Sequence, residues 1–358
     1  MKKELLTLVI PLLDRHALTN RALAHLQNNN CNFNILVADG SELPFFKFFA
    51  RPLMNLGESP IPAGFANPDE KSLQKHYGSL NIEYFYNGHD YNIAKYMNKM
   101  SLAFKRIESP LCMVLDNDDL VDLSGVKSGI DFMAKNLDYS TYQNDVKTLN
   151  LKPRKSLGPS LYTKNSLEQE EPRERLLDVV ENFNSFNYAI FRTPIAKCFF
   201  EIMDEMNNDD FQLFQKCWAY FAAVFGKCKR LHNESYYYFI PGNSILQHGG
   251  KVHKFSSWME TPYWETSAPV MVSIISTVFA ELHGVDIRDE FTEIFVGEAC
   301  AKNEKNKTKK NLQKIKDYSK QYDSTIQNVL TRSSFEYLKF DYDNTDTPTY
   351  EDFLQSLS

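Results

Sequence analysis

Three apolar runs that each stop on an acidic turn constrain this chain more than any other feature. Leu5–Ile10 leads into Pro11-Leu12-Leu13-Asp14, Phe33–Ala38 into Asp39-Gly40-Ser41, and Leu111–Leu115 into Asp116-Asn117-Asp118-Asp119. Unbroken apolar runs of this length read as strands covered on both faces. Between them, His16–Gln27 carries Ala17, Leu18, Leu23 and Leu26 at helical spacing and stops at three asparagines. Asn81–Tyr86 reads as a further strand and Asn92–Arg106 as a helix. Residues 42–80, rich in Pro, Gly and Phe without a period, read as an insertion lying over one face. The order predicts an α/β, Rossmann-like fold, a mostly parallel sheet flanked by helices with right-handed crossovers. Ligands of such sheets bind outside the carboxyl ends of the strands, and Asp14, Asp39 and Asp116–Asp119 fall there.

Downstream of a polar stretch at roughly 140–175, Phe186–Phe191 reads as a strand, with Thr193 as N-cap and Pro194 in the first turn of the next helix. Asn207-Asn208-Asp209-Asp210 precedes an apolar helix ending near Gly226, and Tyr236–Ile240 reads as another strand. Beyond about residue 256 the pattern is helical, which suggests one α/β domain over 1–255 and a mainly helical region over 256–358. No internal repeat is evident.

Charge and cysteine usage narrow the function classes. Lys and Arg number 40 against 46 Asp and Glu, a net charge of −6, which argues against a nucleic-acid binder. The start, MKKELLTLVIPLLDRH, imitates a signal peptide, but Asp14-Arg15 stand where a small-residue cleavage site belongs. No stretch reaches the ~20 apolar residues of a bilayer span, since Ala268–Leu282 is interrupted by Pro269, Ser273, Ser276 and Thr277. Six scattered cysteines with no CxxC pair make a reducing, cytoplasmic location the expectation.

Two carboxylates two residues apart on an extended turn can face one oxygen-loving cation, Mn²⁺ or Mg²⁺, which in turn can neutralise a diphosphate leaving group. The bland alternative for Asp116–Asp119 is an acidic turn capping the helix that starts near Leu123. Taken with IPLLDR and ADGS, the tetrad resembles the nucleotide-sugar glycosyltransferases of the GT-A fold, family 2 in particular. SPLCMVLDNDDLV and NYAIFRT look like a bacterial subgroup. The resemblance covers roughly residues 5–250. It implies that Asp39 reads the donor base, that Pro11, Leu13 and Asp14 line the same pocket, and that Asp116 and Asp118 serve the ribose and the metal–diphosphate. Leu13 and Asp14 stand where the family has Tyr and Asn. Lys95 falls near a basic position that faces the nucleotide in relatives, or else is a solvated helix lysine.

An inverting transfer needs a carboxylate to take the acceptor hydroxyl's proton. The resemblance places it at a helix start about a hundred residues after the metal motif, which points to Asp210, with Asp209 beside it as base or cap and Glu205 as fallback; the family's Glu-Asp pair is absent. His248, in QHGGKVH, is the candidate late metal ligand. Trp258, Tyr263 and Trp264 offer faces to a sugar, although core packing accounts for them equally. Eight lysines at 302–320 could lean on anionic lipid, while Leu312, Ile315 and Tyr318 fit a plain amphipathic helix.

The expectation is therefore a metal-dependent, inverting glycosyltransferase using a UDP-sugar and a glycan or lipid-linked glycan acceptor in bacterial surface glycan synthesis. It would work in the cytoplasm, with peripheral contact to the inner membrane and self-association as open partners. The alternatives are a nucleotidyltransferase, which would want a glycine-rich basic loop where LLDRHALTN stands, and a catalytically silent scaffold that binds a partner through its C-terminal helices. An acidic pocket also predicts that donor binding requires metal.

Overall fold

The computed structural model describes residues 5–45, 77–150, 156–160, 165–183, 185–239, 258–300 and 305–332. Most of the expected insertion at 42–80 lies outside them. Nine strands form one sheet in the order β3-β2-β1-β4-β8-β6-β9-β5, with β7 paired to β6. The first half is the expected parallel array: β1 (Leu6–Leu12), β2 (Asn34–Asp39), β3 (Asn81–Tyr86) and β4 (Leu111–Val114). All seven β1 residues are buried, as a strand covered on both faces requires. Helix α1 (His16–Asn28) links β1 to β2, and α2 (Ile93–Lys105) links β3 to β4. The chain thus moves outward from β1 through β2 to β3, then returns to the other side of β1. This reversal opens a crevice between the carboxyl ends of β1 and β4.

The second half is mixed. β5 (Leu120–Val121) precedes α3 (Leu123–Lys135), and β6 (Tyr139–Asn150) with β7 (Ser156–Ser160) occupies the stretch that looked merely polar. Helix α4 (Pro172–Glu181) follows, then the short β8 (Ile190–Arg192), which pairs antiparallel with both β4 and β6. Residues 186–189 lie outside that strand, so the expected Phe186–Phe191 strand is shifted toward its end. Helix α5 (Thr193–Met206) has Arg192 in its cap position and Thr193 as its first residue, one residue off the expected cap. Helix α6 (Phe211–Phe225) runs into β9 (Lys227–Phe239). That strand starts well before the expected Tyr236 because it pairs with β6 along most of its length.

The C-terminal helices are α7 (Trp264–His283), α8 (Arg288–Cys300), α9 (Lys305–Ser319) and α10 (Asp323–Arg332). α7 is long and apolar enough to cross a membrane by composition, yet 72% of that window is buried, and it packs on α6, α9 and α10. One hydrophobic cluster runs continuously from Val9 in β1 through Trp218 in α6 to Ile275 and Leu330. The sheet and the C-terminal helices therefore share a core; the expected boundary at 255 lies outside the described residues. In α9, Leu312 and Ile315 face inward while Tyr318 is half exposed, and Lys314 and Lys316 pair with acids of α7 and α8.

Gly226 joins α6 to β9 where the chain has no room for a side chain. A Cβ there would sit 2.7 Å from the Asp138 carbonyl oxygen and 2.9 Å from the Ser140 nitrogen, both backbone atoms. Gly226→Ala is expected to destabilise the fold by about 1–3 kcal/mol, read as a lower denaturant midpoint with an unchanged slope.

Candidate active site

The β1–α1 turn is the first wall of the crevice. Asp14 and Arg15 both adopt left-handed backbone angles, with φ of 52° at each. For residues with a Cβ this costs roughly 1–2 kcal/mol apiece, and the surroundings hold it in place. Ser41 Oγ accepts the Asp14 N–H at 2.7 Å, and Asn117 Nδ2 donates to the Asp14 carbonyl at 3.3 Å. Pro11 is buried in register with Ala38, Leu13 is half-buried, and the Asp14 side chain is exposed.

The second wall is the turn after β4. The capping alternative for it is excluded, because α3 is capped by Asp122, whose Oδ1 accepts the Ser124 N–H at 2.8 Å. Asp116 and Asp118 are thus spent on something else. Arg15 Nη1 lies 2.5 Å from Asp118 Oδ2, and Arg21 from α1 donates to the Asp118 carbonyl. Tyr188 OH donates to Asp116 Oδ2 at 3.4 Å, and Tyr236 OH accepts the Asp116 N–H at 3.2 Å while donating to Asp119 Oδ2 at 2.9 Å. The two tyrosine rings stack at 4.4 Å beside the acid turn. Burial, and then the charge of Asp118, push the Asp116 carboxyl up to about 7. Burial also raises Asp118, against the pull of Arg15.

The floor comes from β2 and α2. Asp39 is fully buried, and its carboxylate is saturated: Oδ1 takes the Ser41 N–H at 2.9 Å, Oδ2 the Phe45 N–H at 2.6 Å and the Tyr84 hydroxyl at 2.5 Å. These bonds fix the 41–45 turn. Lys95 stands on α2. Its side chain is exposed, whereas Lys99, one turn on, is fully buried. Lys99 Nζ lies 2.5 Å from Asp90 Oδ2 and donates to the Leu12 carbonyl at 3.1 Å. Burial lowers Lys99 and raises Asp90, each opposed by the charge of the other. Lys99 sits among the buried Met97, Met100, Ala103 and Phe104 of α2. Gly40 is required here, because its Cβ would fall 2.1 Å from Asp90 Oδ2.

The corner at the start of α6 holds the expected base. Asp210 is the N-cap: Oδ1 accepts the Gln212 N–H at 2.9 Å, and Oδ2 accepts the Trp258 indole N–H at 2.7 Å. Asp210 is 4% exposed, so both of its oxygens are held in structural bonds. Asp209 is exposed, and one oxygen takes the Ile93 N–H at 2.7 Å, at the N-terminus of α2. Tyr96, near enough to Asp116 and Asp90 to feel their charge, meets Phe214 of α6 edge-on at 6.0 Å. The fallback Glu205 is paired with Arg332 at 2.9 Å. Trp258 and Trp264 are buried against each other and Phe295, leaving Tyr263 as the exposed aromatic of that group. His248 lies outside the described residues.

Among the described residues, no group of three His, Cys, Asp or Glu gathers as a metal cage. Asp116 and Asp118 still fit a hard divalent cation. Such ions commonly take one or two carboxylates and complete their shell with phosphate oxygens and water; burial first, and then the charge of Asp118, push Asp116 up.

A nine-stranded sheet with a parallel half and helices packed against it is a GT-A-type fold. Among solved structures the chain is similar to TarS of S. aureus, a GT-A-type glycosyltransferase. The TM-score is 0.51 at 12% identity over 94% of this chain and 54% of that one. For the 1–349 portion of TarS the TM-score is 0.50 at 11% identity over 98% and 91%. The chain thus spans about half of the longer TarS chain. No family profile and no curated protein sequence matches it.

The raised Asp116 predicts a pH signature. Unfolded, the carboxyl ionises near 3.8, but folded only near 7. Unfolding therefore releases a proton between those values, and stability falls as pH rises through that window. Asp116→Asn is expected to melt higher than the parent at pH 8 in chelator, with the gap closing toward pH 4. Parallel pH–stability curves for the two proteins would contradict the shift.

Proposed function

We propose that this chain is a metal-dependent, inverting glycosyltransferase that moves a sugar from a UDP-sugar to a hydroxyl acceptor. The observation that carries the reading is the placement of Asp116 and Asp118 at the β1/β4 switch crevice of a GT-A fold, free of capping duty and neighboured by Arg15. A Mn²⁺ or Mg²⁺ held by these two carboxylates would stabilise the departing diphosphate electrostatically.

The protein's own groups supply the remainder. The turns at Pro11–Asp14 and Ser41–Phe45 line the donor site, the second fixed through Asp39. Arg15 and Arg21 set positive charge beside the diphosphate position. Asp209, exposed at the mouth with one oxygen oriented by Ile93 N–H, takes the proton from the acceptor hydroxyl. The structural bonds of Asp210 shift this role from Asp210 to its neighbour. Attack from the face opposite the leaving group inverts the anomeric centre. We assign the acceptor to a bacterial surface glycan or its lipid-linked precursor, met at the cytoplasmic side of the membrane. Cys31, Cys112, Cys198, Cys217 and Cys228 are buried thiols outside any disulfide, in keeping with a reducing compartment.

Calorimetry against nucleoside diphosphates with Mn²⁺ tests the assignment: UDP is expected to bind with metal and not in chelator. Asp118→Ala should lose metal-dependent UDP binding and at least ~100-fold in turnover. Undiminished transfer by that variant would falsify the assignment, and no binding of any diphosphate would favour the scaffold reading.

The two acids at the α6 corner separate in a second experiment. Asp209→Asn is expected to lower kcat by about 10²–10⁴-fold with UDP affinity kept. Asp210→Ala is expected to lower the melting temperature through a lost cap, worth about 1 kcal/mol. The reverse pattern would return the base to Asp210.

A further inference from the structure

Asp118 already has a cation. Its Oδ2 is engaged by Arg15 Nη1 at 2.5 Å, with side-chain exposures of 9% for Asp118 and 19% for Arg15. A divalent ion arriving at that oxygen competes with the guanidinium for its lone pairs and repels its positive charge. Arg21 bonds the main-chain carbonyl of Asp118 and acts on the carboxylate through its charge, whereas Arg15 holds a carboxylate oxygen directly. Arg15 also stands on the turn where two successive residues hold left-handed angles. Backbone held in sparsely populated regions is where alternative arrangements are concentrated.

We propose that Arg15 is an exchangeable counter-ion, occupying the metal position of Asp118 in the donor-free protein and handed over to the donor's diphosphate when the divalent cation takes its place. The inference rests on the transferase reading above. The exchange keeps charge matched at both stages. Before binding, the guanidinium offsets Asp118; afterwards the cation does, and Arg15 meets phosphate oxygens with the planar donor fork suited to them. Metal and nucleotide then bind as a coupled pair, since each makes room for the other.

The test is Mn²⁺ titration of the full chain, following free Mn²⁺ by electron paramagnetic resonance, with and without UDP. In the parent protein UDP is expected to tighten Mn²⁺ binding by about tenfold or more. Arg15→Gln should bind Mn²⁺ alone about tenfold more tightly than the parent and lose a similar factor of the UDP enhancement. Arg15→Lys, which keeps a positive charge at the carboxylate, should stay near the parent. Should Arg15→Gln fail to fold, the parent titration still decides, because equal Mn²⁺ affinity with and without UDP overturns the exchange. Unchanged or weaker Mn²⁺ affinity in Arg15→Gln, with UDP–Mn²⁺ binding intact, overturns the exchange and leaves the transferase reading standing. Absence of Mn²⁺ binding in every form, UDP included, overturns both.

Discussion

The packing of like charge at the ends of β1, β2 and β4 is the constraint around which this structure is arranged. Asp39, Asp90, Asp116 and Asp118 come together at one sheet edge, and all but the half-buried Asp116 are nearly inaccessible. Buried carboxylates are tolerated only when hydrogen-bonded or paired, and each is answered differently. Asp39 is absorbed by two backbone N–H groups and a tyrosine, Asp90 by Lys99, Asp118 by Arg15. Asp116 receives the weakest compensation, a tyrosine hydroxyl at 3.4 Å set against the charge of its neighbour. Acids left under-compensated in this way cluster at functional sites.

The parallel half of the fold was legible because hydropathy determined it. β1, β2 and β4 are covered on both faces, so their burial shows as unbroken apolar runs, and the acids follow at the strand ends. The mixed half was hidden for the opposite reason. β6 buries Ser140, Thr141, Gln143, Asn144 and Asp145, and its neighbours answer with polar groups, as Arg230 does for Gln143 and Ser160 for Asp145. A strand whose buried positions are so largely polar carries no apolar alternation to read.

Within the site, residue types were readable but their partners were not. That Asp116 and Asp118 belong to the crevice followed from position after a buried strand. That Asp122 rather than the tetrad caps α3, and that Asp210 rather than Asp209 caps α6, depended on where the helices start, to within a residue. Lys95 and Lys99 differ by one helical turn, and only the packing of α2 against the sheet decides which faces inward. Asp39 illustrates the same limit, because the hydroxyl that saturates it comes from Tyr84, far along the chain and across the insertion.

The C-terminal helices bear on the chemistry through one bond. Trp258 precedes α7, sits in the shared core at 1% exposure, and donates its indole N–H to Asp210. Asp210 in turn fixes the first turn of α6, and the adjacent Asp209 accepts the first N–H of α2, whose following turns carry Tyr96 and Lys99 into the crevice. A change in how α7 packs therefore reaches the mouth of the site through two helix N-termini, with no contact to the acid pair itself. In this arrangement the helical region buttresses the corner that carries Asp209 and Asp210, and it is buried in the same hydrophobic cluster as Val9 of β1.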